Sequence, residues 1–242
     1  MKNYRLSHQS AVKTERYERD VYRVGSYDDY VWQEEKRILD RELDLLKEQI
    51  PKPRYLDFGC GTGRIIGYVE TKVDQSVGVD IAREMLSIAK EKLHRSQLVE
   101  ADITTDDVLD GQKFTIITAF RFLLNAEPPL REAIIKILAP KLAHEGVFIF
   151  NIHGNTWSFR LPMVWWYHMR YGRRLNHLSC GRIKKMLTRH GLSIKRLYGF
   201  GVIPKPLYRL CPRTSFALDR LLVYIPFIKY ISYNLIFACK HI

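Results

Sequence analysis

The 242-residue sequence predicts a doubly wound α/β sheet. Three observations point there. Short apolar runs alternate with segments of helical periodicity through most of the chain. Phe114-Thr115-Ile116-Ile117-Thr118-Ala119 has the β-branched content of a parallel strand buried on both faces. Asp57-Phe58-Gly59-Cys60-Gly61-Thr62-Gly63, set between an apolar run and a helical one, reads as a strand end, a glycine turn and a helix N-terminus. Such a turn brings backbone close to a ligand and aims unpaired N–H groups at it.

Taken in order, residues 1–26 are rich in charge and tyrosine and read as a flexible arm or short cap helix. Ser26, with Asp29 three residues on, marks a helix start, and Val31, Ile38, Leu39, Leu43, Leu45, Leu46 and Ile50 recur at helical spacing. Pro51 and Pro53 end that helix. Strands follow at Arg54–Phe58, Ser76–Asp80, Gln97–Glu100, Phe114–Ala119 and Val147–Ile152, with helices to about Glu70, over Arg83–Leu93 and over Leu130–Ala143. The alternation lapses over Thr156–Leu175. A helix then runs from an N-cap at Ser179 to Gly191, followed by a sixth strand, Leu192–Phe200. Residues 201–231 hold Pro204, Pro206, Pro212 and Pro226 and read as an insertion with one short helix near Leu218–Val223. Tyr233–Lys240 is the seventh strand.

The composition bounds the function. An apolar fraction of 46% suits one globular domain of generous size. Cys60, Cys180, Cys211 and Cys239 are scattered, which gives neither a zinc site nor a disulfide framework and suggests a reducing, cytoplasmic compartment. The polar start Met1–Arg5 lacks the apolar core of a signal peptide. Leu221–Cys239 is interrupted by Pro226 and Lys229 and is not expected to span a membrane. The formal net charge is +13, and Gly146 to Leu218 contains 13 basic residues and no Asp or Glu. That asymmetry calls for an anionic partner or surface.

A dinucleotide fingerprint beginning at Gly59 would need a third glycine where Arg64 stands; the spacing here is instead G-x-G-x-G, after Asp57. This stretch resembles the first motif of the class I S-adenosylmethionine-dependent methyltransferases, and Val77-Gly78-Val79-Asp80 resembles their acidic loop after strand two. Asp102-Ile103, the strand Phe114–Ala119 and Glu145-Gly146 also match in order and spacing, so the resemblance covers roughly residues 50–153, with a weaker match at the last strand. It implies a Rossmann-like, seven-stranded and mostly parallel sheet with an antiparallel closing strand. In this arrangement residues 1–50 are an arm and cap helix, and 51–242 are the S-adenosylmethionine-binding domain, with insertions at about 155–178 and 201–231.

The resemblance also implies site residues. Gly59, Cys60, Gly61 and Gly63 would pass close to the amino acid end of the cofactor, with Asp57 orienting the loop. Asp80, with Ile81 after it, would accept from the ribose hydroxyls. Asp102 would accept from the adenine amine, with Ile103 packed on the ring, and Phe120 lies in the fourth motif. That motif reads Phe120-Arg121-Phe122-Leu123-Leu124-Asn125 and lacks the Asp/Asn-Pro-Pro-aromatic run of enzymes that methylate exocyclic base amines. Arg121 is a candidate contact to an anionic acceptor. His153 is the best-placed base for deprotonating a hydroxyl, ahead of His168 and His177. No metal-ligand spacing appears.

Methyl transfer to a hydroxyl of an anionic small molecule, sugar or lipid-linked glycan is the preferred expectation, with RNA methylation or a non-catalytic scaffold as alternatives. The segment Trp165–Arg174 mixes aromatics with cations. It reads equally as a lid over the cofactor domain or as a peripheral contact with an anionic membrane's inner face, and less readily as an RNA platform.

Overall fold

The structure is a computed structural model and describes residues 25–172 and 177–242. The arm through residue 24, and Arg173 and Arg174 of the basic aromatic segment, lie outside the described residues. Helix α1 spans Tyr27–Lys47 and starts where Ser26 predicts. The Ser26 hydroxyl accepts from the Asp29 N–H at 3.0 Å, and Asp28 and Asp29 place negative charge in the first turn. The core chain then runs β1 (Arg54–Phe58), α2 (Arg64–Val69), β2 (Gln75–Asp80), α3 (Arg83–Lys92), β3 (Ser96–Glu100), β4 (Phe114–Ala119), α4 (Pro128–Lys141) and β5 (Leu142–His153). After it come α5 (Leu161–Tyr171), α6 (Cys180–Arg189), β6 (Leu192–Phe200), α7 (Lys205–Leu210), α8 (Pro212–Leu222), α9 (Ile228–Ile231) and β7 (Asn234–His241).

The seven strands form one sheet in the order β3-β2-β1-β4-β5-β7-β6. Strands β1 to β5 pair in parallel, and β7 inserts antiparallel between β5 and β6. The strand order reverses at β1 and β4, the place where parallel sheets of this kind open a crevice beyond their carboxyl ends. Both faces of the sheet are covered. One core gathers Leu56, Ile117, Phe150 and Phe237 with Leu138 and Leu187; the other gathers Tyr55, Ile116, Ile149 and Ile236 with Leu39, Leu43 and Ile66.

Helix α1 is joined to the sheet by charge as well as by its apolar stripe. Its buried Glu34, Glu35 and Glu42 each meet a distant partner. Glu34 accepts from Arg220 Nε at 2.7 Å and Glu35 from Asn151 Nδ2 at 2.9 Å, while Glu42 takes Arg196 Nε at 2.6 Å and the Tyr198 hydroxyl. A carboxylate excluded from water survives only when its lone pairs are met this way.

Two stretches differ from the sequence reading. Residues 161–171, expected to be irregular, form α5, with Pro162 in the first turn where its missing N–H costs nothing. Residues 201–231 contain three helices rather than one. Pro206 and Pro212 again occupy first turns, so they start helices instead of breaking them.

Candidate functional site

A cavity of about 640 Å³ opens at the carboxyl ends of the parallel strands. It is lined from the turns after β1, β2, β4 and β5, and Tyr27, Asp28, Val31 and Glu35 of α1 close one side. Its size suits a small organic ligand.

The glycine turn after β1 forms its floor. The N–H groups of Gly59 and Cys60 both donate to the Val79 carbonyl, at 2.8 and 3.2 Å, which ties the turn to the end of β2. Gly59 has φ +68, and a Cβ built there would meet nothing within 4 Å, so its Cα faces open space. Gly63 serves differently. It begins α2 at φ +82, and a Cβ there would lie 3.1 Å from Ala89 and 3.2 Å from Leu93, so this glycine lets α2 and α3 approach and is set back from the cavity lining.

The Asp80 carboxylate is fixed by backbone. One oxygen accepts from the Gly61 N–H at 2.8 Å and the other from the Ala82 N–H at 2.9 Å. Ile81 and Met85 flank it on the lining. Asp102 and Ile103 line the next sector, where Asp102 Oδ1 accepts from the Thr104 N–H and hydroxyl at 3.0 and 2.6 Å.

Asp57 lies beneath the turn, buried but touching the cavity. The Tyr55 hydroxyl is 2.6 Å from the Thr118 hydroxyl, which donates to Asp57 Oδ1 at 2.6 Å. Oδ2 has no protein partner. Burial, with the Asp80 charge adding to it, pushes the Asp57 carboxyl up to about 7.

The opposite wall comes from β4, β5 and the segment after β6. Phe120 and Arg121 follow β4, and Arg121 has φ +60, the sole non-glycine residue with positive φ among those described. A network holds this conformation: the Arg121 N–H donates to Asn151 Oδ1 at 2.6 Å, and Asn125 Nδ2 donates to the Arg121 carbonyl at 2.6 Å. Asn151 in turn donates to Glu35, whose other oxygen lies 3.4 Å from Arg64 Nη2. Strained backbone held by surrounding bonds at a cavity wall is a common property of ligand sites. His153, at the end of β5, is half-buried near Arg121 and Lys205. Burial first, then those two positive charges, lower its pKa to about 4, so its ring is neutral at pH 7.

Of the residues predicted from sequence, Asp57, Gly59, Cys60, Gly61, Asp80, Ile81, Asp102, Ile103, Phe120, Arg121 and His153 all face this one cavity. Gly63, His168 and His177 do not line it. Sequence reasoning did not identify Met85 and Asn151, which sit close to Ile81 and His153 in sequence, nor Tyr27, Glu35, Lys205, Tyr233 and Asn234, which reach the cavity from elements far from the glycine turn in sequence.

The comparisons agree with this geometry. The model of a family described as "Methyltransferase domain" matches residues 30–197, more than half of the chain. The chain belongs to the methyltransferase-domain family. The methyl donor of this family is S-adenosylmethionine. Protein YqeM of Bacillus subtilis (strain 168), provisionally named a methyltransferase, is 28% identical over 121 residues, 47% of this chain and 46% of its own length. The 18S rRNA (guanine-N(7))-methyltransferase bud23 of Schizosaccharomyces pombe is 35% identical over 96 residues, 36% of this chain and 34% of its own. The chain spans about half the length of the curated relatives it matches first. The crystal structure of magnesium protoporphyrin IX methyltransferase from Synechocystis PCC 6803 with bound SAH superposes with a TM-score of 0.67 at 17% identity. It covers 98% of this chain and 97% of that one, a likeness of fold.

The lining fits the cofactor on its own terms. The open Cα face of Gly59, the unpartnered Oδ2 of Asp57 and the backbone-fixed carboxylate of Asp80 present acceptors and close backbone to a polar, cationic ligand.

Proposed function

We propose that the chain methylates an oxygen of an anionic acceptor: a hydroxyl of a small molecule, a sugar or a lipid-linked glycan. The observation that carries this reading is the division of charge in the cavity. Asp57, Asp80 and Asp102 lie on the side of β1, β2 and β3, where the cation Arg64 is offset by Glu35 at 3.4 Å, whereas Arg121 and Lys205 lie on the side of β4 and β6 with the neutral His153 between them and Asp28 of α1 as the acid facing Lys205. A cationic donor suits the first half and an anionic acceptor the second.

When bound, S-adenosylmethionine supplies an electrophilic methyl carbon on a sulfonium. The chain's own part is to hold and align. In this reading Gly59, Cys60 and Gly61 receive the amino acid end, and Asp80 accepts from the ribose hydroxyls. Asp102 and Ile103 meet the adenine edge and face, and Phe120 walls the methyl. Arg121 and Lys205 pair with the acceptor's negative charge. His153 accepts the hydroxyl proton at its neutral ring nitrogen. Burial is the main cause of its low basicity in the ligand-free protein and the two cations add to it; an anionic acceptor neutralises the cations, which relieves that second part when the substrate is in place. We place the reaction in the cytoplasm, with 1–50 as cap and 51–242 as the catalytic domain.

Calorimetry with S-adenosylhomocysteine, followed by transfer of a deuterated methyl group to pooled anionic metabolites and glycolipids read by mass spectrometry, tests the reading. Absence of cofactor binding overturns it entirely; transfer only to uncharged acceptors overturns the anionic part. The match to the fission yeast rRNA enzyme and the basic C-terminal half favour RNA as the second reading. Label entering rRNA or tRNA would select it.

A further inference from the structure

The two insertions emerge at one place. β7 pairs His153 with Asn234 and Phe200 with Asn234, so the chain leaves the sheet after His153, leaves it again after Phe200, and returns at Asn234, all on one row. All three residues line the cavity, so both insertions rise around its mouth. They are also joined to each other. The buried Asn155 side chain donates to the carbonyls of Tyr230 and Ser232 at 2.6 and 3.0 Å, and buried Arg160 donates to the Ile203 carbonyl at 3.1 Å.

Among the described residues, every exposed large apolar side chain except Leu45, Val108 and Ile242 belongs to these insertions. Trp165, Trp166 and Met169 of α5 are 64%, 58% and 65% exposed, and Leu221, Tyr224 and Phe227 are 66%, 77% and 79% exposed. A monomer in water does not keep such a surface without a use for it. The charge around it has one sign. From Gly146 to Ile242 the chain has 16 basic residues and one acid, Asp219. Asp219 is fully buried, accepting from the N–H groups of Gly201, Val202 and Ile203 and from the Tyr30 hydroxyl, so this half of the molecule offers no acidic side chain to the solvent.

We infer that the two insertions form a single docking surface for an anionic lipid bilayer, placed so that the cavity opens toward the membrane. Indole and phenol rings with long aliphatic side chains, surrounded by cations, match the boundary between headgroups and acyl chains. RNA fits less well, because exposed leucines, isoleucines and methionines have nothing to stack on a base. A second copy of the chain fits less well too, because the facing surfaces carry the same sign of charge. No helix among the described residues is long and apolar enough to cross a membrane, so the contact is peripheral. The inference does not depend on the acceptor proposed above, although a lipid-borne acceptor would reach the cavity directly from such a surface.

The test is flotation of the full chain with phosphatidylcholine vesicles containing or lacking 30% phosphatidylglycerol. Three of the four tryptophans, Trp157, Trp165 and Trp166, lie in the first insertion, so brominated acyl chains should quench the intrinsic fluorescence. We expect binding to the anionic vesicles only. Affinity should fall on the order of tenfold or more in Trp165→Ser/Trp166→Ser and about fivefold for each of Arg209→Gln and Lys229→Gln. S-adenosylhomocysteine affinity of the variants should stay at wild type, which shows that they fold and separates this inference from the catalytic one. Absence of flotation, flotation without quenching, or flotation unchanged in the tryptophan variant overturns the proposal. So does concentration-dependent dimerisation abolished by the same variant, or preferential binding of tRNA.

Discussion

Replacing Asp57 by Asn should remove a specific pH dependence from the stability of the ligand-free protein. The Asp57 carboxyl has a pKa of about 7 when folded, against 3.8 for an ordinary carboxyl, because burial disfavours its charge. The folded state therefore holds this proton more tightly than the unfolded chain does. Its contribution is fully present below pH 3.8 and is lost as pH rises through 7. Each unit of pKa difference corresponds to about 1.4 kcal/mol. Between pH 5 and pH 8 the wild type should lose about 3 kcal/mol through this one group. Asn is isosteric and keeps an oxygen to accept from Thr118, but it does not titrate. Urea denaturation at pH 5 and pH 8 should show Asp57→Asn flatter than wild type by about that amount. Parallel slopes in the two proteins would refute the assignment, whatever their absolute stabilities. A second measurement uses the same group. If cationic S-adenosylmethionine binds beside Asp57, it expels the proton, and calorimetry at pH 7 should show a binding enthalpy that depends on the ionisation enthalpy of the buffer.

Three further outcomes follow from the geometry. Asp80→Ala should weaken S-adenosylhomocysteine binding on the order of 100-fold by calorimetry, the loss of two charge-assisted hydrogen bonds; unchanged affinity removes Asp80 from the site. Asp219→Ala strips the acceptor from three backbone N–H groups and the Tyr30 hydroxyl. It should cost at least about 3 kcal/mol in urea denaturation, and a cost below about 1 kcal/mol would show that water replaces the carboxylate. In an NMR titration His153 should change charge near pH 4, and Arg121→Met or Lys205→Met should each move the midpoint upward; a midpoint above 6 in the wild type contradicts its burial beside two cations.

Much of the cofactor half of the molecule was legible in the sequence because its signals are local. β1 and the glycine turn are contiguous, β4 is a β-branched run buried on both faces, and Asp80 is marked by its place at the end of β2. Ser26 announced α1 by capping chemistry that spans four residues. The rest depends on contacts between distant residues. Glu42 reads as one more charge on a solvated helix until Arg196 and Tyr198 arrive from β6 to bury it. Lys205 and Asn151 have no mark of their own. Helix α5 escaped because its Leu161, Met163, Trp165, Trp166 and Met169 are exposed: periodicity is diagnostic when a core selects one face, and among the described side chains of this helix none is buried in a core. The prolines of 201–231 misled for a related reason, since a proline that starts a helix and one that ends it look the same in sequence.

The stretches that sequence reading misassigned both lie inside the basic one of the molecule's two charge regimes. The sheet to β5 mixes both signs and builds a cofactor site from local motifs. Beyond Gly146 all surface charge is positive and the one acid is spent inside, binding the loop after β6 to α1 through Tyr30. That internal use of Asp219 explains how an insertion with so little shielded apolar surface keeps its shape: its anchor is a buried carboxylate with four donors. It also separates the insertion's rigidity from the partner it meets. A surface formed only when a partner arrives would leave its own anchoring groups exposed until then, whereas here Asp219, Asn155 and Arg160 are already buried. The exposed apolar side chains stand on this anchored frame, which is the arrangement expected of a preformed docking surface rather than of a loop awaiting order.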